Sequence, residues 1–473
     1  MNTSRKILKN TGILFISQIS IYVIGFFYIM YMARYLGPEG FGLLNFALAF
    51  CGIFGMVPDL GLSTLSVREV SRNKSLATTY LNNILSLRLI LGIITFGLIF
   101  LTINILGYHE PTLTVVYIIS VYVILAVFSQ TFDSVVQANE KMEYLSLGQL
   151  ITNIVLLLGT LLAIYYKLDV IGFAYIYIIA GAFNLLFYFI LFMLKFFKPT
   201  ITYDFKFWKE MIKNALPLSL SIVLILIAFK IDVIILSLLK GNEAVGIYTA
   251  AYKLIEILIF VPSIFAISVF PVLSNFHINS QNLIEFSYKK IYKYLCLLGL
   301  PIAVGTTLLA NKIIFFIYST SFYQTVITLQ ILIWVIPFIF LTYMSRVIMV
   351  SINKQDQLLK IIILYLILNI ALNLIIIPIY GYIGAAIVTV VTEIVSFTLY
   401  YYYLSKFICK IQIYKYFSKP VIASAIMGLF VYYINLNLFL VIVIATIIYI
   451  LVLIILKTFT EDDVNLLKSM IKG

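Results

Sequence analysis

The chain has 473 residues, of which 63% are hydrophobic and only 11% are charged. Soluble domains carry about 25% charged residues, so this composition excludes an ordinary soluble protein. The formal net charge is +13, which in a soluble protein would suggest a nucleic-acid partner. The three cysteines are odd in number and far apart, which indicates neither a disulfide framework nor a metal site. The sequence therefore predicts a polytopic membrane protein.

Fourteen apolar stretches are long enough to span a bilayer, whose hydrocarbon core requires about 20 helical residues. In chain order they are 10–33, 40–66, 77–106, 112–137, 145–166, 170–194, 214–239, 244–273, 288–310, 324–350, 358–379, 382–404, 416–435 and 438–456. Short connections join them. The predicted fold class is an all-α integral membrane protein with 14 transmembrane helices.

The basic residues lie almost entirely on one side of these spans. The N-terminus, the even-numbered connections and the C-terminal tail together hold 24 Lys and Arg residues, and the other side holds 4. Because basic residues mark the cytoplasmic face, both termini are predicted to be cytoplasmic. The net charge of +13 is thus a consequence of topology, and no nucleic-acid partner is expected.

The chain also matches itself at an offset of 204 residues, so spans 1–6 and 7–12 read as two copies of one six-helix bundle. The matching positions are Gly37 and Gly241, Glu39 and Glu243, Gly42 and Gly246, Ala47 and Ala251, and Pro58 and Pro262. Because six is even, both copies enter the membrane from the same side, and the repeat is parallel. Spans 13 and 14 have no counterpart.

This repeat predicts five regions. They are an N-lobe (1–197), a linker (198–213), a C-lobe (214–408), a segment that contains spans 13 and 14 (409–457), and a cytoplasmic tail helix (458–473). The linker contains Trp208 among apolar and basic residues, which is typical of a helix lying in the membrane interface. Such a linker would let the two lobes rock against each other.

Glycines and prolines mark candidate bends. Gly37, Pro38 and Gly42 predict a tight turn between two helices, because glycine accepts positive φ and proline fixes its own φ. The glycine spacing does not indicate a nucleotide site, since no strand precedes it. Pro58 and Pro262 are equivalent in the repeat and predict kinks that frame a cavity.

Several motifs resemble the polysaccharide transporter (oligosaccharide flippase) family of the multidrug/oligosaccharidyl-lipid/polysaccharide (MOP) exporter superfamily. They are Asn10-Thr11-Gly12, ARYLGPEGFG from Ala33 to Gly42, Asp59-Leu60-Gly61-Leu62-Ser63, Lys230-Ile231-Asp232, Ala251-Tyr252-Lys253, Phe270-Pro271-Val272-Leu273-Ser274, and Tyr380 to Ala386. The resemblance covers nearly the whole chain. It implies two six-helix lobes in a V around a central cavity, and movement of a lipid-diphosphate-linked oligosaccharide from the inner to the outer leaflet by alternating access.

Nine ionisable residues lie within the predicted spans, where charges are costly and usually face a bundle interior or a wet cavity. They are Asp59, Arg88, Asp133, Lys230, Asp232, Lys253, Glu256, Arg346 and Glu393. Lys230 and Asp232 are two residues apart, so one helix face does not present both. Lys253 and Glu256 are i,i+3 neighbours that could neutralise each other.

Two roles remain open for these residues, because structural ion pairs between helices also explain them. In the functional interpretation, cations hold the substrate diphosphate; the candidates are Arg88, Lys253, Arg346 and, behind them, Lys230. The acidic residues Asp59, Asp232, Glu256 and Glu393 would then bind a coupling ion or balance charge.

Two other functions are alternatives. A multidrug or cation antiporter of the same superfamily shares the twelve-helix core. An enzyme is disfavoured, because the outward connections are short and carry no acid–base pair, and the chain shows no metal cluster. We therefore expect a monomeric flippase of the cytoplasmic membrane, without a cofactor. Its partners would be membrane lipids, a polyprenyl-diphosphate oligosaccharide and possible glycosyltransferases or a polymerase of the same pathway.

Overall fold

A computed structural model describes residues 3–279, 281–434, 436–459 and 463. Their side chains are described except at 3–16, 218, 267–268, 271–272, 274–279 and 281–282. Most of the predicted tail helix 458–473 therefore lies outside the described residues, as do the side chains of Asn10-Thr11-Gly12, Pro271-Val272 and Ser274.

Every regular element in the described ranges is a helix. The α-helices are α1 (Thr3–Phe54), α2 (Met56–Asp59), α3 (Leu62–Arg72), α4 (Ala77–Ile105), α5 (Thr112–Ala138), α6 (Met142–Tyr165), α7 (Val170–Lys195), α8 (Phe205–Leu258), α9 (Phe260–Asn279), α10 (Gln281–Ile317), α11 (Thr325–Leu332), α12 (Ile336–Ser351), α13 (Gln355–Phe407), α14 (Ile413–Tyr433) and α15 (Leu438–Ile455). The predicted all-α class is confirmed.

Ten helical stretches among the described residues are long and apolar enough to cross a membrane. Three of them, Ser17–Asp59, Ser219–Ala266 and Gln355–Phe407, have 43, 48 and 53 residues. A single crossing needs about 20 residues, so each of these three has the length of two crossings. The chain is thus built from long apolar helices, as its composition requires.

Each of the three longest helices is interrupted once, at a glycine in the left-handed region. Gly37 in α1 has φ 66°, Gly241 in α8 has φ 81°, and Gly381 in α13 has φ 55°. Residues with a Cβ rarely adopt these angles, which accounts for glycine at each break. The turn expected over 37–42 is accordingly reduced to one non-helical residue, and Pro38 starts the next helical segment, where a missing N–H is tolerated.

Pro58 and Pro262, which are equivalent in the repeat, each follow the end of a long helix. Helix α1 ends at Phe54 and α8 ends at Leu258, positions that the offset of 204 relates. Pro58 lies in the short α2, whereas Pro262 lies near the start of the longer α9. After Pro58 the paths diverge, because Leu60 and Gly61 both adopt left-handed conformations that separate α2 from α3.

The chain divides into two compact units, Met1–Gly246 and Ile247–Gly473. The boundary lies later than the predicted one between 213 and 214. The physical reason is that the first part of α8 packs within the first unit. Ser219 Oγ donates to the Leu60 carbonyl at 3.3 Å, and Tyr108 Oη donates to Ser237 Oγ at 2.9 Å.

The linker differs from the interfacial helix that the sequence suggested. Helix α8 begins at Phe205 and continues into the next membrane stretch without a separate segment. Trp208 is only 5% exposed, and its Nε1 donates to Asn83 Oδ1 at 3.2 Å. The indole therefore packs in a protein core with residues of α3, α4 and α8, which are Leu62, Leu65, Ile84, Leu87, Met211 and Ala215.

Candidate functional site

The intramembrane charges fall into separate groups. Arg88 and Asp59 form one group in the first unit, while Lys253 with Glu256, and Arg346 with Glu393, form two groups in the second. The three groups differ in how many hydrogen-bond donors of the cation are already used by protein acceptors.

Arg88, in the middle of α4, is 0% exposed. Its Nε donates to the Pro58 carbonyl at 3.3 Å, and one terminal nitrogen donates to the Val127 carbonyl at 2.6 Å and to Thr131 Oγ1 at 2.5 Å. The other terminal nitrogen donates to Asp59 and, at 2.8 Å, to Ser63 Oγ. A guanidinium has five N–H donors, and this set uses all of them.

Asp59 is held by the turn that starts α3. Its carboxylate accepts from the backbone N–H groups of Gly61 at 3.1 Å and Ser63 at 3.3 Å, and from Ser63 Oγ at 2.6 Å. These bonds cap the start of the helix, and Arg88 balances the carboxylate's charge. The pair thus joins α2, α3, α4 and α5 and leaves no Arg88 donor for a diphosphate, contrary to the role suggested for that residue.

Asp133 lies near this group on α5. Its Oδ1 is buried and has no hydrogen-bond partner among the described residues. Lys230 and Asp232 lie on α8, where the lysine is half-buried and the aspartate is buried. Their different exposure agrees with the different helix faces that a two-residue spacing gives.

Lys253 and Glu256 form the i,i+3 pair that their spacing suggested. Lys253 Nζ donates to Glu256 Oε2 at 2.6 Å. The two side chains are 26% and 33% exposed, so the pair is not sealed in a core. Part of the Lys253 side chain therefore remains exposed beside its ion pair.

Arg346 shares a polar cluster with Glu393 that sequence reasoning did not pair. Arg346 Nε donates to the Thr342 carbonyl at 3.4 Å, and Thr342 Oγ1 donates to the buried carboxylate of Glu393. The guanidinium also lies over the Tyr343 ring, with its carbon 5.6 Å from the ring centre. Its two terminal nitrogens have no hydrogen-bond acceptor within the described ranges, in contrast to those of Arg88.

A cavity of about 280 Å³ opens in the first unit beside Asp59. The lining is mostly apolar, and Thr64, Gln130 and Ser219 add hydroxyl and amide groups. Sequence reasoning missed these three residues, because single uncharged polar side chains are common in membrane helices. Only their convergence in space distinguishes them.

Two buried asparagines on α13 were also missed. Asn373 Nδ2 donates to Asn369 Oδ1 at 3.1 Å, and both residues are 0% exposed. Their i,i+4 spacing in an apolar helix was a signal that the sequence did offer.

Tyr108 lies between α4 and α5, outside the membrane-length stretches. Burial raises the pKa of its hydroxyl, which donates to Ser237 Oγ. No group of three or more potential metal ligands occurs among the described residues.

Comparison with known proteins identifies the family. The family model described as "Polysaccharide biosynthesis protein" matches residues 7–277, and the MatE model matches residues 217–375. The capsular polysaccharide biosynthesis protein CapF of Staphylococcus aureus is 23% identical over 421 residues, which cover 84% of this chain and 99% of CapF.

Solved structures show the same fold. The lipid II flippase MurJ in an inward closed conformation aligns with a TM-score of 0.76 at 19% identity, covering 93% of this chain and 97% of MurJ. An inward-facing multidrug resistance MATE family transporter of the MOP superfamily aligns with a TM-score of 0.69 at 18% identity, covering 82% and 94%. At these identities the likeness establishes the fold. The first family model covers more than half of the chain, and this multi-pass protein of the cell membrane therefore belongs to the polysaccharide biosynthesis protein family.

Proposed function

We propose that this transporter is a flippase, which moves a polyprenyl-diphosphate-linked oligosaccharide from the inner to the outer leaflet for the synthesis of a cell-surface glycan. The observation that carries the proposal is the contrast between its two intramembrane arginines. Protein acceptors use all five donors of Arg88, whereas Arg346 is half-buried and its terminal nitrogens have no acceptor in the part of the chain that the structure describes.

The chemistry of a diphosphate fits Arg346. A guanidinium presents paired donors that match two phosphate oxygens, and charge-assisted bonds of this kind are among the strongest in proteins. The Thr342 carbonyl holds Arg346 Nε, and the guanidinium lies over the Tyr343 ring, so binding a ligand through the terminal nitrogens would cost less side-chain entropy. Lys253, partly exposed beside Glu256, supplies a second cation, and Lys230 is a further candidate.

The proposal includes a fourteen-span topology with cytoplasmic termini. Three of the ten membrane-length stretches break at Gly37, Gly241 and Gly381, and we propose that each of these three crosses the membrane twice. Helix α14 has 21 residues, long enough for one more crossing. An even number of crossings places both termini on the side that carries most of the basic residues.

The test is transport of a fluorescent polyprenyl-diphosphate oligosaccharide in proteoliposomes. We expect Arg346→Ala to lower the flipping rate by about tenfold or more, as loss of a charge-assisted bond to substrate would. Arg346→Lys should restore only part of it, because lysine lacks the planar fork. Lys360→Ala, which removes an exposed cation from α13, is the matched control and should flip at the parental rate.

The MatE match over residues 217–375 favours one alternative, an exporter of organic cations. Proteoliposomes loaded with ethidium distinguish the two functions. Export of ethidium without movement of the lipid-linked oligosaccharide would replace the flippase proposal. Equal flipping by the parent and Arg346→Ala would retain the flippase and remove Arg346 from its site.

A further inference from the structure

A carboxylate from the tail of the chain is bound at one end of α10 in an arrangement that resembles an occupied anion site. Asp463 is 1% exposed, and its carboxylate accepts from Lys290, from Lys293 and, at 2.8 Å, from Tyr294 Oη. Lys293 is itself buried. Three donors from one helix thus converge on the two oxygens of a single carboxylate.

A phosphate would satisfy these donors better than a carboxylate. Three donors share the two oxygens of Asp463, whereas a phosphate brings more acceptor oxygens and, in a diphosphate, more negative charge. A buried lysine is costly without an anion, so whichever anion leaves the site must be replaced by another.

The next turn of α10 lines an apolar cavity of about 390 Å³. Leu297, one turn beyond Lys293, begins this lining, and Met427 of α14 and Tyr449 of α15 complete it from the other helices. A phosphate at the lysines and an apolar chain along α10 would be adjacent. This arrangement favours the phosphate of an amphiphile over a free phosphate ion.

We propose that Lys290, Lys293 and Tyr294 form a binding site for the phosphate of a lipid, and that Asp463 of the tail is its built-in competitor. A bound lipid phosphate displaces the Asp463 carboxylate from these donors. The proposal rests on the proposed topology, which places this end of α10 at the inner leaflet. It adds to the proposed function a loading site that is separate from Arg346.

The direct test measures binding to the purified full-length protein in detergent. The probes are undecaprenyl diphosphate, phosphatidylglycerol and inorganic pyrophosphate, with undecaprenol as the phosphate-free control. We expect Asp463→Asn to raise the affinity for at least one phosphate-bearing lipid by about threefold or more, because the competing charge is gone. Adding Lys290→Ala and Lys293→Ala should abolish the gain.

Glu285→Gln is the matched control, because it removes a carboxylate paired with Lys289 on the same part of α10. It should leave the affinity unchanged. A gain for undecaprenyl diphosphate alone assigns the site to the transported lipid, and a gain for phosphatidylglycerol alone assigns it to bulk membrane lipid. Tighter binding of pyrophosphate but of neither lipid would overturn the lipid assignment. No gain in affinity for any probe would show that the ion pairs of Asp463 only stabilise the fold, and would overturn the site.

A second measurement uses the unmodified chain and does not depend on how the variants fold. Hydrogen exchange of peptides that contain Asp463 should speed up when undecaprenyl diphosphate or phosphatidylglycerol is added, and not with undecaprenol. Unchanged exchange with both phosphate-bearing lipids overturns the displacement. A protein that binds as expected but flips nothing would refute the proposed function alone, whereas normal flipping with unaltered binding and exchange would refute this site alone.

Discussion

Gly42 and Gly246 meet in a reciprocal backbone contact. A methyl group added to Gly42 would overlap the carbonyl oxygen of Asn242, and one added to Gly246 would overlap the carbonyl oxygen of Pro38. Gly42 and Gly246 are equivalent in the sequence repeat, and so are Pro38 and Asn242. The two contacts are therefore the same interaction seen from each copy, as expected where two related segments meet around a local two-fold axis.

This contact predicts that neither glycine tolerates a side chain. Gly42→Ala and Gly246→Ala should each lower the free energy of unfolding by about 1–3 kcal/mol, because the backbones must separate to admit the new atom. The measurement is thermal unfolding in detergent. Gly97→Ala is the control, since an added methyl there meets nothing within 4 Å. Equal stability of all three variants would contradict the close approach.

The Arg88 network predicts a structural rather than a substrate-binding phenotype. Arg88→Met should destabilise the protein by about 3–5 kcal/mol, because it leaves the Asp59 carboxylate without its cation. Adding Asp59→Asn should recover part of that loss, since the uncompensated charge is removed. Unfolding midpoints of the single and double variants provide the measurement, and a stable Arg88→Met protein with lost substrate binding would restore the arginine to the binding site.

The packing of Trp208 predicts that the start of α8 is anchored to protein. Trp208→Ala should lower the free energy of unfolding by about 3–5 kcal/mol, through the cavity it leaves and the lost bond to Asn83. Lys209→Ala, at the exposed residue that follows Trp208 on α8, should change it by less than about 0.5 kcal/mol. Similar small effects for both would favour the interfacial helix that the sequence suggested.

The Lys253–Glu256 pair is expected to contribute little to stability, although Lys253 contributes to transport. Both side chains are partly exposed, so a double-mutant cycle should give a coupling free energy of only about 0.3–1 kcal/mol. Lys253→Ala should nevertheless slow flipping, because the cation is proposed to contact the diphosphate. A large coupling energy with unaltered flipping would make the pair purely structural.

The sequence alone was sufficient for the all-α membrane class, because a bilayer requires every segment that crosses it to be apolar. Each crossing must be apolar over about 20 residues, and this demand makes membrane helices visible in composition. The equivalence of Gly37 and Gly241 was visible for a similar reason. A positive φ excludes nearly every other residue, so the same break in two copies retains the same amino acid.

The tertiary structure decided what the individual charges do. In sequence, Arg88 and Arg346 are both single arginines in apolar helices, and nothing local distinguishes them. Acceptors on other helices use every donor of Arg88, whereas the one acceptor found for Arg346 among the described residues is the Thr342 carbonyl of its own helix. Trp208 shows the same limit, because an indole suits a membrane interface or a protein core equally, and only its contact with Asn83 settles which. Periodicity and composition predict where each helix lies in the sequence, because those features are local. A site depends on side chains that the fold brings together from distant segments.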